Sequence, residues 1–191
     1  MRNGKFTGWG RETKNNGEIF EGKFIDGEIS GKGFYKNPNG DLYIGDFSHS
    51  IKHGKGELFT KKFHYKGKFD NNRINGFGKI EFIDGGHAFE GQFKNNQING
   101  KGVFKWKNGD VYEGEMRDGK MDGLGIFKSA NGFVYEGGFK NGVEEGHGRL
   151  RYPDGKVFEG EFSNGKPIKE SRASDNRIYY GNYLGNKDDL K

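Results

Sequence analysis

Cysteine is absent from the 191 residues, which excludes disulfide staples and thiolate metal sites. No stretch approaches the ~18 consecutive apolar residues of a membrane-spanning helix. The opening residues Met1-Arg2-Asn3-Gly4-Lys5-Phe6 have no apolar run behind their charge, unlike a secretory signal. Position 2 is Arg rather than the Gly that N-myristoylation needs. The expectation is a soluble intracellular protein. Neither sign of charge prevails, with 32 Lys and Arg against 27 Asp and Glu, which is a weak footing for a polyanionic partner. Ser and Thr are few, and no nucleophile-elbow pattern occurs. With 31% charged residues and a mean hydropathy of −1.00 the chain has the bulk composition of a disordered segment. Its regular spacing argues otherwise.

Glycine is abundant, at 36 residues, and so are aromatics, 18 of them Phe. They recur together. An aromatic-x-Gly-x-aromatic run appears as Phe20-Glu-Gly22-Lys-Phe24, Tyr43-Ile-Gly45-Asp-Phe47, Tyr65-Lys-Gly67-Lys-Phe69 and Phe89-Glu-Gly91-Gln-Phe93. It continues as Tyr112-Glu-Gly114-Glu-Met116, Tyr135-Glu-Gly137-Gly-Phe139 and Phe158-Glu-Gly160-Glu-Phe162, with steps of 23, 22, 24, 23, 23 and 23 residues. A Gly-x-Gly follows at a fixed distance, as in Gly100/Gly102 and Gly123/Gly125. Each unit carries two turn signals, such as Asp118-Gly119 and Asn131-Gly132, which supply the positive φ of tight hairpins. Two turns per unit mean two short strands of about 5–6 residues.

Strand alternation puts the aromatics and glycines on one face. Rings lying over bare glycine backbone explain that pairing, with Gly102 and Gly125 beneath them. The other face carries ordered charge. First strands point acids outward (Glu90, Glu113, Glu136, Glu159) and second strands point bases outward (Lys101, Lys128, Arg149). Cross-strand compensation follows and speaks against a nucleic-acid surface, which shows one sign. Ser50 and Phe63 replace turn glycines, and the steps of 22 then 24 meet near Gly85-Gly86. A bulge and irregular hairpins are expected between Ser50 and Ala88.

These runs resemble the MORN repeat, from about Gly4 to Phe162 with an echo to Tyr183. The resemblance, with the strand and turn reading, implies an all-β fold: an elongated single array of stacked antiparallel hairpins. Residues 1–166 form the array, which opens inside a repeat. Residues 167–191 hold a degenerate terminal repeat, with Lys169 and Ser171 where Gly-x-Gly belongs, and a tail.

Catalytic and ligand motifs fail on their own terms. Gly114 to Lys120 and Gly160 to Lys166 approximate a phosphate-binding loop, but Met121 and Pro167 replace its hydroxyl. Asp70-Asn71-Asn72 lacks the ligand spacing of a calcium loop. His49 and His53 have a metal-ligand spacing without a helix to carry it. The expectation is no enzyme, no cofactor and no metal.

What remains is a scaffold that binds other proteins. The resemblance implies a cytoskeletal or ciliary (axonemal) assembly, as for radial-spoke-head components and protist cytoskeletal scaffolds, and hence a cytoplasmic, cytoskeleton-associated location. Candidate protein-binding residues are the outward apolar Trp9, Val103, Leu124 and Ile126; single exposed apolar residues are ordinary, whereas a contiguous stripe marks a binding surface. Trp9 sits on an N-terminal edge strand open to strand addition by another protein or a second copy. The alternative is attachment to acidic phospholipid, as the resemblance to junctophilins and plant phosphoinositide kinases implies. The basic residues are, however, interleaved with acids and form no polybasic cluster.

Overall fold

The computed structural model describes residues 4–83 and 85–168. Fifteen strands and no helix occur among them. The first strands of the units are β2 (Ile19–Ile25), β4 (Leu42–Ser48), β6 (Phe63–Asp70), β8 (Ala88–Lys94), β10 (Val111–Arg117), β12 (Val134–Lys140) and β14 (Val157–Ser163). The second strands are β1 (Gly8–Thr13), β3 (Glu28–Lys36), β5 (Ile51–Phe59), β7 (Arg73–Phe82), β9 (Gln97–Lys105), β11 (Lys120–Lys128) and β13 (Val143–Arg151), with a short β15 (Lys166–Pro167). The chain divides into two compact halves, Met1–Gly100 and Lys101–Lys191. Within each, strand order follows chain order and the ladders are antiparallel. This is the stacked-hairpin, all-β architecture expected of the repeats. The strands are longer than expected, mostly 7 residues for first strands and 9 for second strands. Second strands continue through an irregularity to the turn instead of ending at it.

That irregularity recurs and has one form. Gly45 faces Gly56, yet Phe47 faces Lys52. The same slip lies between Gly22 and Phe24, Gly67 and Phe69, Gly114 and Met116, and Gly137 and Phe139. Two extra residues on the second strand are absorbed each time, as in a β-bulge. The expectation of a bulge peculiar to Ser50–Ala88 is therefore corrected: the bulge belongs to the repeat. The Ser50 replacement does not disturb its hairpin either. His49 and Ser50 adopt φ of 50° and 60°, as Asp118 and Gly119 do at 49° and 78°. Where Phe63 replaces a turn glycine, Thr60 closes the loop. Its N–H and hydroxyl donate to the Phe63 carbonyl, and its Oγ1 accepts from the Phe63 N–H at 3.0 Å.

The two turns differ in kind. The first has positive φ at both central residues, the type I′ geometry that matches strand twist. The second has it at the glycine alone, as at Gly109 and Gly132, where the glycine N–H closes a tight turn onto Trp106 or Ser129. First turns also hang on the repeat before them. The Ser50, Asn72 and Gly142 N–H groups donate to the Ile29, Lys52 and Met121 carbonyls. Where the turn residue is not glycine, its side chain returns a second bond: Ser50 Oγ accepts from the Ile29 N–H and Asn72 Oδ1 from the Lys52 N–H.

The core is the aromatic face. Tyr43, Tyr65, Tyr112 and Tyr135 are fully buried, and the ring two strands onward meets each edge-on. Tyr43 lies 5.1 Å from Phe47 of its own repeat and 4.8 Å from Phe69 of the next, at 88° and 79°. Such pairs contribute ~0.5–1.5 kcal/mol beyond area burial. Each tyrosine bends along its own strand until its hydroxyl donates to the carbonyl three residues on, Asp46 for Tyr43 at 2.9 Å and Glu115 for Tyr112 at 2.8 Å. The ring then covers a pair of facing glycines, Gly45 with Gly56 and Gly114 with Gly125. Burial pushes the Tyr65 and Tyr112 phenols up to about 12.

The two glycines of Gly-x-Gly serve different ends. A Cβ on Gly125 would come within 2.5 Å of the Tyr112 ring, whereas Gly123 sits at φ 116° in the bulge. We predict that Gly125→Ala and Gly123→Ala each destabilise by about 1–3 kcal/mol, the first by overpacking and the second by backbone strain. In a Tyr112→Ala background the cost of Gly125→Ala shrinks by more than ~0.5 kcal/mol while that of Gly123→Ala stays. Urea unfolding of the two double-mutant cycles measures both couplings, and equal couplings would refute the division of roles.

Candidate functional site

Opposite the core, the glycine pairs are bare. Side chains flanking them stand up as walls, so each half of the chain carries a groove floored by backbone. In the second half the groove holds about 540 Å³ and runs over Gly125, Gly137 and Gly148. Leu124, Ile126, Glu136, His147, Arg149 and Glu159 form its walls. In the first half a groove of about 410 Å³ runs over Gly33, Gly45, Gly56 and Gly67. Its walls are Ile44, Phe77, Glu57 and the lysines Lys32, Lys55, Lys66 and Lys68.

The candidate residues separate on this geometry. Leu124 and Ile126 come together on one wall, Leu124 opposite Gly138 and Ile126 opposite Glu136. Leu124 is 70% exposed because Gly138 offers no side chain to cover it. Val103 is half-buried and does not line the groove. Trp9 belongs to the first half, where it faces Lys23 at 74% exposure. Beside it the chain from Phe6 to Thr7 caps the first turn, the Phe6 carbonyl accepting from the Gly27 N–H and Thr7 Oγ1 from the Asp26 N–H. Phe6 itself packs edge-on against Phe24 at 5.8 Å. Ile44, 49% exposed, does not stand out in the sequence, because it sits on a first strand among charged outward positions. Its neighbour Phe34 faces it across the ladder. Residues 169–191, and with them Lys169, Ser171 and Tyr183, lie outside the described residues.

The charge pattern also divides. In the second half Arg149 faces Glu136 on one side and Glu159 on the other, and His147 faces Glu161. That is the compensation the alternating acids and bases predict. In the first half it fails: Lys55 faces Lys68 and Lys66 faces Lys79. The even compensation expected along the whole face is thus corrected. The repeat fixes which positions point outward but not which sign each carries, and β6 has Lys66 where β2, β8, β10, β12 and β14 have glutamate. Glu57 and Glu81 offset part of the surplus, binding Lys66 and Lys79. His64 stacks on Phe59 at 4.2 Å and reaches Glu57 at 3.1 Å. No group of His, Asp and Glu among the described residues could hold a metal ion.

These repeats now have a family. Seven MORN repeats match residues 20–42, 43–60, 65–87, 89–111, 112–134, 135–157 and 158–167. The chain belongs to the MORN-repeat family. Rat and mouse alsin (Rattus norvegicus and Mus musculus) are each 29% identical to it over 90 residues, which is 44% of this chain and 5% of alsin. The chain thus spans about one-twentieth of these relatives. The TCP domain of Drosophila melanogaster SAS-4 (dCPAP), solved with a proline-rich motif of Ana2 (dSTIL), superposes with a TM-score of 0.47 at 14% identity, covering 81% of this chain and 90% of that one. MORN repeats form a non-catalytic module for interaction with proteins or membranes, and it is to that module that the grooved face belongs.

One MORN position carries an unusual acid. Asp122 on β11 is only 7% exposed. The Asn141 N–H bonded to its Oδ2 holds its carboxyl below the usual carboxylate range, aided by Arg117 at 3.4 Å and Lys140 at 3.5 Å. A depressed carboxyl stabilises the fold above its unfolded value, about 3.9, and the contribution disappears as pH falls through the folded value. We predict that Asp122→Asn lowers stability most at neutral pH and that the gap to wild type closes below about pH 4. Urea midpoints of both proteins from pH 7 to pH 2 check this. A gap independent of pH would show that the charge of Asp122 is not what ties the turn.

Proposed function

We propose that this MORN-repeat chain is a non-catalytic scaffold that holds partner proteins on its grooved face within a cytoskeletal or ciliary assembly. The observation that carries the reading is Leu124, a large apolar side chain left uncovered beside a floor of glycine backbone. Apolar anchors rimmed by paired charges are the usual anatomy of a protein-docking site. Its walls pair acid with base in register, which suits a partner recognised by shape and apolar contact. The cytoskeletal setting rests on the MORN resemblance, and so does the cytoplasmic or axonemal location. Trp9 supports a further contact, by strand addition along β1.

Attachment to acidic phospholipid is the second reading, and the lysine surplus of the first half favours it. Against it, those lysines wall a recess, and a planar bilayer meets only the rim.

Leu124→Ser with Ile126→Thr removes the apolar wall while keeping strand-compatible residues. We predict that the double variant melts within about 4 °C of wild type but moves from the detergent-insoluble cytoskeletal fraction to the soluble one. Vesicles of phosphatidylserine and phosphatidylcholine, sedimented with both proteins across a salt series, separate the two readings. Salt-sensitive vesicle binding without cytoskeletal retention of the wild type would favour lipid and overturn the scaffold.

A further inference from the structure

The two grooves share one kind of floor and differ in their walls. Extended strands place every second side chain on the outward face, so neighbouring walls stand in register and their charges meet. In the first half Lys55 on β5 and Lys68 on β6 are direct cross-strand partners. Both are exposed, and among the described residues neither has an acidic group within ion-pair distance. Like charges in that relation weaken a sheet, yet here they flank the bare pair Gly56 and Gly67. Lys32 and Lys66 add to the same walls, each already engaged, by Asp46 at 2.7 Å and Glu57 at 2.8 Å. Towards the groove's ends stand two apolar side chains, Ile44 at 49% and Phe77 at 57% exposure.

We propose that this groove docks an extended acidic segment of a partner protein, its carboxylates meeting Lys55 and Lys68 and its apolar residues meeting Ile44 and Phe77. The proposal rests on the scaffold reading and names the chemistry of one partner. Charge complementarity selects acid: Lys55 and Lys68, neither of them in an ion pair among the described residues, line a recess in which Glu57 is the acidic wall, while Asp46 beside Lys55 is engaged by Lys32. Shape selects an extended chain. From β3 to β7 the groove crosses four strand spacings of ~4.8 Å, about 19 Å, which an extended peptide covers in about six residues at ~3.3 Å each. A single chain is narrow enough to reach the glycine floor, where no side chain stands in its way. The alternation of an extended peptide also fits the walls, since successive side chains point to opposite sides and acidic and apolar residues separate onto different contacts.

The test is fluorescence anisotropy of the full chain with a labelled eight-residue peptide alternating Glu and Leu, beside a control with Gln for Glu. Phosphatidylserine vesicles are run in parallel. The expected result is saturable binding of the acidic peptide that weakens about tenfold between 50 and 300 mM salt, as screening requires. Lys55→Glu with Lys68→Glu weakens it by at least about tenfold, and Phe77→Ser by a few-fold. Leu124→Ser leaves it unchanged. Thermal melts confirm that each variant is folded, and should the double reversal not fold, Lys55→Gln with Lys68→Gln replaces it, with a smaller loss expected. Equal binding of the Gln control, indifference to the lysine substitutions, or binding of vesicles without binding of peptide each overturns the proposal. A chain that ignores the acidic peptide yet is retained with the cytoskeleton through Leu124 loses this inference and keeps the scaffold. A chain that binds the peptide but is not retained does the reverse.

Discussion

A tyrosine ring laid over two facing glycines is the contact on which the rest of the structure depends. Tyr43, Tyr65, Tyr112 and Tyr135 each make it. The geometry leaves no room for a Cβ on the covered residues: glycine is fixed there by the ring and, on the first strands, also by the close backbone of the facing glycine, as at Gly45 and Gly114. The ring in turn is fixed by its hydroxyl, which must find a partner once buried and finds the carbonyl three residues onward. In the Phe20 repeat the hydroxyl is lost and another group takes the place of the ring. Over Gly22 and Gly33 it is the Ile29 side chain, whose Cδ1 would stand 2.5 Å from a Cβ on residue 33. The demand for glycine survives the change of cover.

The arrangement settles how a sheet with so little aliphatic residue content builds a core. One face of each strand pair carries mainly rings and bare backbone, with a few aliphatic side chains and methionines between them. The rings meet edge-to-face with their own repeat and the next, so packing along the ladder is local and recurs. The bulge lets each second strand accommodate this. It buries Ile29, Ile74 and Met121 across from Phe24, Phe69 and Met116, and it brings first turns such as His49–Ser50 against the repeat before them. Lys52 occupies the same position in β5, its ammonium lying over the Tyr35 and Tyr43 rings at 4.6 and 5.2 Å. Burial lowers its pKa, and Asp41 and Glu18 oppose that shift.

Strand alternation leaves the outward side of each core-facing glycine open, and the proposed function rests on that. A groove floor without side chains is a by-product of the core. What a groove recognises is then set by its walls, which the repeat leaves free to vary. The second half has paired charges and an uncovered Leu124; the first has a lysine surplus between Ile44 and Phe77. A family defined by its core residues can in this way serve partners of different chemistry without altering its fold.

Much of this was legible in the chain itself. The period of about 23 residues and the Asn-Gly and Asp-Gly pairs determined the hairpins, because positive φ at both turn residues and alternation of faces are local properties. The buried aromatics, the rings over Gly125 and the outward placement of Leu124 followed from the same alternation. The bulge did not, since two residues absorbed inside a strand leave the spacing of the motif unchanged. For the same reason the first glycine of Gly-x-Gly concealed its separate task. Ser50 looked unfit for a tight turn, but its bond to the preceding repeat holds it there, and such a bond links residues 21 apart. The pairing of charges was decided only by register: Lys55 and Lys68 are 13 positions apart in the chain and become neighbours only when β5 and β6 align. Local stereochemistry is written residue by residue, whereas which side chains share a wall depends on how strands meet across the sheet.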